Sequence, residues 1–214
     1  MPSATKRKAM ERQRRRRQSR TLAIAAGAVL LVAVIAVLAS SLGGTESVET
    51  GVTQSRSVVA NGDALPTLDG EADPAIGMAA PSLTGQSFDG SPVSISPGDG
   101  PTAIWFLAHW CPHCQAEVPR IVTLAEQGAL PDDVTVVGVS TGVDATAPNY
   151  PPSTWLEEEG WPFPVLADDE AGSAASAYGL NGFPFLVLID ADGRVSARFS
   201  GELGNEAILA ALGG

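Results

Sequence analysis

The chain has 214 residues, with 24 acidic and 13 basic side chains, two histidines and two cysteines. Nine of the basic residues lie within the first twenty positions beside a single acid, so this tail carries +8, while the remaining chain has four basic and 23 acidic residues, a net charge of −19. A polyanion of this sign is repelled by nucleic-acid phosphates and by anionic lipid. The charge distribution therefore argues against a nucleic-acid-binding role for the main part of the chain.

An apolar run without a charged residue follows the basic tail directly, at residues 22–39. Roughly 20 apolar residues can span a bilayer, and basic flanking residues stay on the cytoplasmic side. We therefore expect a basic cytoplasmic tail (1–20) and a transmembrane helix or signal anchor (21–40), with the rest of the chain extracytoplasmic. The alternative is a signal peptide cleaved after Ala39, which would give a secreted protein, although signal-peptide apolar regions of about 7–15 residues are shorter than this run.

Residues 41–79 are rich in Gly, Ser, Thr and acidic residues and poor in large apolar ones. Such a composition cannot bury enough surface to fold alone. The sequence therefore predicts a flexible acidic linker over 41–79, with a marginal edge strand within 57–68. The remaining residues, 80–214, are enough for one hydrophobic core.

Apolar runs and turn signals alternate along residues 80–214. The runs predict strands, and the helical patterns are bounded by Pro, Ser and Gly. The predicted strands are 91–96, 102–108, 134–139, 163–166, 185–189 and 195–199, and the predicted helices are 111–126, 153–159 (capped by Ser153), 170–178 and 205–212. This order predicts an α/β fold in which helices cover both faces of a mixed sheet.

Both cysteines and both histidines of the chain lie within residues 109–114, the sequence His-Trp-Cys-Pro-His-Cys. Pro112 suits the first position of a helix, which places Cys111 at the helix N-terminus, where free N–H groups and the helix dipole favour a thiolate. Cys114 follows one turn later, so the two sulfurs can form a disulfide without unfolding the helix. A polar or cationic His113 between them further stabilises the Cys111 thiolate.

A Cys-x-x-Cys pair also occurs in zinc sites, haem attachment sites and structural disulfides. Zinc needs four ligands, and the only additional histidines, His109 and His113, crowd the same six residues, so no metal site is assigned. Haem attachment requires His directly after the second cysteine, where Gln115 stands. A structural disulfide over so short a loop would stabilise little. A Cu(I)-carrying binding module remains an alternative, because soft thiolates suit Cu(I).

The chain resembles a known family in several segments: 80–81, 106–119, 163–168, 177–179, 182–184 and 188–193. Together they resemble the membrane-anchored TlpA-like (redoxin) thiol–disulfide oxidoreductases, which have the thioredoxin fold. The resemblance implies that Cys111 is the nucleophile and Cys114 the resolving thiol. It also implies that Glu117 is a proton shuttle for Cys114 and that Pro184 is a cis-proline facing the disulfide.

The same resemblance implies an extracytoplasmic enzyme that exchanges disulfides with protein substrates. Such exchange requires no cofactor, and a monomer is the default expectation. A reductase outside the cytoplasm would receive its electrons from a membrane redox partner, since no cytosolic thiol pool is present there. We expect a reductase or general oxidoreductase; a disulfide-forming oxidase is the alternative, because the dipeptide Pro112-His113 is that of strong oxidases. Trp110 is expected to shield the sulfurs. Two departures stand out: Trp105 replaces the buried acid of ordinary thioredoxins, and Phe183 is larger than the usual Thr or Val and would narrow the substrate groove.

Overall fold

The computed structural model describes residues 52–70 and 72–213. The strands are β1 (Val59–Asn61), β2 (Ser82–Gln86), β3 (Pro92–Ile95), β4 (Thr102–Leu107), β5 (Thr135–Ser140), β6 (Val165–Ala167), β7 (Phe185–Ile189) and β8 (Val195–Ser200). The helices are α1 (Pro112–Glu126), α2 (Pro152–Glu158), α3 (Ser173–Ala177) and α4 (Asn205–Leu212).

The central sheet has five strands in the order β6-β5-β4-β7-β8. Strands β4, β5 and β6 are parallel, whereas β7 is antiparallel to β4 and β8 is antiparallel to β7. A separate antiparallel sheet has the order β1-β2-β3. The predicted α/β fold with a mixed sheet is confirmed.

Strand β4 is buried along its whole length, because the sheet is covered on both faces. Ala103, Trp105 and Leu107 point into the cluster that contains the apolar residues of α1 and α4. Ile104 and Phe106 point the other way, into a cluster with Ala174 of α3 and Leu83 of the small sheet. A strand buried on both faces has an unbroken apolar run, which is why the sequence predicted it correctly.

The predicted transmembrane helix at residues 21–40 lies outside the described residues. Within residues 52–70 and 72–213, no helix combines the length and apolarity needed to cross a bilayer.

The predicted linker, 41–79, differs from what the structure shows for its second part. Within residues 52–70 and 72–79 this segment packs against the folded domain: β1 pairs with β2, and Leu65 and Ala75 are buried. Asp73 accepts two hydrogen bonds from the guanidinium of Arg198 on β8, which holds the pKa of Asp73 below its usual value. The edge strand predicted within 57–68 is present as β1. Sequence composition did not predict the remaining contacts, because they depend on a few isolated residues rather than on an apolar run.

The start of α2 differs from the prediction. Ser153 does not cap it; Pro151 occupies the N-cap position without a side-chain cap, and the Ser153 amide donates instead to Gln54 Oε1 (3.0 Å). The helix begins one residue earlier than predicted, because Pro152 occupies its first turn, where a proline is well accommodated. Helix α3 is also shorter than predicted, since Gly172 in the left-handed conformation precedes Ser173.

Candidate active site

Cys111 lies at the N-cap of α1, directly after β4 and its connecting turn. Its amide donates to Ala108 O (3.0 Å), which closes the turn, and Pro112 occupies the first helical position. The helix begins one residue after the predicted start, because Cys111 itself has extended backbone angles. The first sulfur therefore lies where the free N–H groups of a 15-residue helix converge, as the sequence predicted.

Cys114 is fully buried, whereas Cys111 retains 5% of its surface. Both are free thiols. Burial raises the pKa of the Cys114 thiol well above its usual range, and the neighbouring Cys111 and Glu117 raise it further. Cys114 is therefore a thiol at neutral pH, and it needs a base before it can act as a nucleophile.

Pro184 lies opposite the cysteines, immediately before β7, and the Phe183-Pro184 peptide is cis, as the resemblance implied. The Cys111 thiol donates to the Phe183 carbonyl oxygen over 3.7 Å. The Pro184 carbonyl accepts from the amide of Gly201, 2.8 Å away, at the end of β8. The loop between α3 and β7 thus contacts Cys111 Sγ through a backbone carbonyl oxygen.

Glu117 is 1% exposed, so it is not an exposed acid of the helix surface. Its Oε1 accepts from the indole N–H of Trp105 (3.0 Å), and its Oε2 accepts from the amide of Leu203 (2.5 Å). Burial raises the pKa of Glu117, and these two hydrogen bonds partly oppose that effect. A buried carboxyl that holds its proton to higher pH than usual is suited to acid–base work near neutrality.

Trp110 forms one side of the entrance to Cys111. Its indole N–H donates to Gly142 O (2.7 Å), and its ring meets Phe183 edge to face with 5.6 Å between centroids. The side chain of Trp110 remains 36% exposed, which leaves an aromatic surface beside the sulfur. Trp110 and Phe183 thus pack against each other next to Cys111; their expected effects on the sulfurs and on the substrate groove stay predictions.

His113 points outward, with a side chain 66% exposed. Its Nδ1 lies 2.9 Å from Glu202 Oε2, and Glu202 Oε1 accepts from Arg120 at 2.5 Å. No motif in the sequence pointed to Glu202, because its position depends on how the turn after β8 packs against α1.

His109 is buried and organises the loop from 141 to 151. Its Nδ1 lies 2.8 Å from Pro148 O and its Nε2 accepts from the amide of Asp144 (3.2 Å), a pattern that requires the neutral ring with the proton on Nδ1. Its carbonyl accepts from Gln115 and Asn149. His109 is thus a packing residue rather than a catalyst, and the loop that it holds was not predicted from the sequence.

Among residues 52–70 and 72–213, no group of three or more His, Cys, Asp or Glu is arranged to hold a metal ion.

A thioredoxin-like sheet carrying Cys-x-x-Cys at the start of a helix, opposite a cis-proline, defines a thiol–disulfide oxidoreductase. The Redoxin family model matches residues 75–212, and the chain belongs to this family.

Three relatives illustrate the similarity. The chain is 33% identical over 145 residues to a thiol:disulfide interchange protein DsbE homolog of Paracoccus denitrificans, a match covering 67% of this chain and 73% of the relative. It is 31% identical to the soluble secreted antigen MPT53 of Mycobacterium tuberculosis, over 60% of this chain and 56% of that protein. A solved thiol:disulfide interchange protein from Chlorobium tepidum superposes with a TM-score of 0.52 at 26% identity, covering 71% of this chain and 97% of that structure.

Proposed function

We propose that the protein is an extracytoplasmic, membrane-anchored enzyme that exchanges disulfides with protein substrates through Cys111 and Cys114. The observation that carries this proposal is the asymmetry of the two sulfurs: Cys111 lies at a helix N-terminus with some exposure, and Cys114 is fully buried behind it. A two-step exchange requires a nucleophile that a substrate can reach and a resolving thiol that is sheltered behind it.

In the first step the Cys111 thiolate attacks one sulfur of a substrate disulfide. A Cys111–substrate disulfide forms, and the other substrate sulfur leaves as a thiolate. In the second step Cys114 attacks Cys111 Sγ, giving the Cys111–Cys114 disulfide and releasing the second substrate thiolate. The substrate gains two electrons and the enzyme loses two; no metal or organic cofactor takes part.

Glu117 takes the Cys114 proton in the second step. This assignment is supported by its burial, by its raised pKa and by its place three residues after Cys114 on the same helix. The Phe183 carbonyl, directly before Pro184, lies against Cys111, so the backbone beside Pro184 is suited to pair with an extended substrate segment.

We propose that electrons flow from the enzyme to the substrate, as in a reductase or general oxidoreductase. A membrane redox partner would return two electrons to the Cys111–Cys114 disulfide, because an extracytoplasmic compartment has no cytosolic thiol pool. A reduction potential near the thioredoxin value of about −270 mV supports this direction, and a value near about −120 mV would show an oxidase instead.

The exchange itself is tested with Cys114→Ser in the full-length protein. Without the resolving thiol, the enzyme should accumulate as a covalent adduct with its protein substrate, visible on a non-reducing gel and removed by reductant. Cys111→Ser is the matched control and should form no adduct, because Cys114 is fully buried. The absence of any adduct, together with stoichiometric Cu(I) binding by the wild type, would favour the copper-carrier alternative.

A further inference from the structure

The turn from Gly201 to Gly204, here called the 201–204 turn, joins β8 to α4 and contacts several parts of the site. The Gly201 amide donates to Pro184 O (2.8 Å), and the Leu203 amide donates to Glu117 Oε2 (2.5 Å). One short turn is thus bonded both to the cis-proline loop and to the buried acid.

Glu202 lies between these two bonded residues, and its carboxylate bridges two positions of α1. It accepts from His113 at 2.9 Å and from Arg120 at 2.5 Å. In a helix, positions 113, 117 and 120 share one face because they follow the i, i+4, i+7 spacing. Glu202 therefore binds two residues on the same face of α1 that carries the buried Glu117.

We propose that Glu202 is a positioning residue for disulfide exchange, which acts on Glu117 by placing a fixed negative charge, balanced by Arg120, beside the buried acid. This inference rests on the proposed role of Glu117 as the proton shuttle for Cys114.

Glu202 acts on Glu117 through its charge. Burial raises the pKa of Glu117, the Leu203 and Trp105 N–H groups lower it, the charge of Glu202 raises it and that of Arg120 lowers it. Cys114 on α1 also faces Glu117, and the charge of Glu117 raises the pKa of Cys114. The hydrogen bonds from His113 and Arg120 hold the pKa of Glu202 itself below its usual value, so it carries its charge while Glu117 titrates.

Glu202→Gln removes the negative charge of this side chain and keeps its size and shape nearly unchanged. Gln retains an oxygen that can accept from His113, while the 201–204 turn keeps two anchors that do not involve the Glu202 side chain: Gly201 on Pro184, and the Leu203 carbonyl on Arg120 (3.3 Å). The substitution therefore removes the negative charge and leaves the Leu203 amide on Glu117.

The experiment follows the Glu117 carboxyl carbon by NMR during a pH titration of the reduced full-length protein, together with the pH profile of the resolution step. Removing the Glu202 charge favours the Glu117 carboxylate, so Glu202→Gln should move both midpoints to lower pH. Arg120→Gln removes the opposing charge and should move both to higher pH. Glu206→Gln, at an exposed acid of α4, is the matched control and should leave both midpoints in place.

Opposite shifts in Glu202→Gln and Arg120→Gln support the proposal, since loosening of the turn would move both variants the same way. Shifts in one direction, or none, overturn it. Glu117→Gln distinguishes a failure of the proposed shuttle role of Glu117 from a failure of the inference about Glu202. If this variant keeps the wild-type pH profile of the resolution step, the shuttle role of Glu117 fails and the inference fails with it; if it flattens the profile while Glu202→Gln moves nothing, only the inference fails.

Discussion

The indole of Trp105 donates a hydrogen bond to the carboxylate of Glu117 across 3.0 Å of the protein interior. Trp105 lies on β4, six residues before Cys111, and Glu117 lies on α1, six residues after it. In the sequence, Trp105 occupies the strand position at which ordinary thioredoxins have a buried acid. The structure shows that the helix supplies a buried acid to the same region, with the tryptophan as its partner.

Glu117→Gln should slow the resolution step by about 100-fold at neutral pH, because general-base assistance contributes roughly 10²–10⁴-fold and Cys114 would lose its proton acceptor. The pH dependence assigned to Glu117 should disappear from that step. Stopped-flow measurement of mixed-disulfide decay, after mixing reduced enzyme with oxidised glutathione, gives the rate directly.

The matched control for this variant is Glu126→Gln, at an exposed acid near the end of the same helix. It should leave the resolution rate unchanged. An equal loss in both variants would mean that helix charge, rather than proton transfer by Glu117, governs the rate.

The burial of Glu117 should also make the free energy of unfolding of the domain depend on pH. Its pKa is raised in the folded protein, so the folded state binds its proton more tightly than the unfolded chain does. Stability from this group is therefore present below the unfolded pKa of about 4.3 and is lost as pH rises through the folded pKa. Urea unfolding at several pH values should show the free energy of unfolding of the wild type falling relative to Glu117→Gln across this window. A relative rise would show that the interior prefers the carboxylate.

His109→Leu should lower the free energy of unfolding by about 2 kcal/mol, because the Asp144 amide and the Pro148 carbonyl would lose their partner. The other histidine supplies the control: His113 is exposed, and His113→Leu should cost about 0.5 kcal/mol or less. Urea unfolding measures both. Equal costs would contradict the role of His109 in holding the loop from 141 to 151.

Asp73→Asn should destabilise the domain by about 3–5 kcal/mol, because the Arg198 side chain, which has no exposed surface, would lose its ionic partner. The lowered pKa of Asp73 means that its contribution is present above the unfolded pKa and is lost as pH falls through the folded pKa. The cost of the substitution should therefore shrink in acid.

Asp63→Asn in the same segment is the control for Asp73→Asn, since Asp63 is exposed and should tolerate the change. Thermal or urea unfolding of the two variants at neutral and acidic pH gives the comparison. A small, pH-independent effect of Asp73→Asn would show that the Asp73–Arg198 pair does not anchor residues 63–80.

Local pattern determined much of this protein. The unbroken apolar run of β4, the proline at the start of α1 and the spacing of Cys111 and Cys114 are properties of neighbouring residues, so the strand, the helix and the reactive pair could be predicted from sequence. The environment of that pair depends on residues far apart in the chain. Only the tertiary structure placed Trp105 and Leu203 on Glu117, joined Glu202 to His113 and packed the residues after 52 against the domain, because hydrogen bonds and burial across such separations arise from how strands and turns pack together.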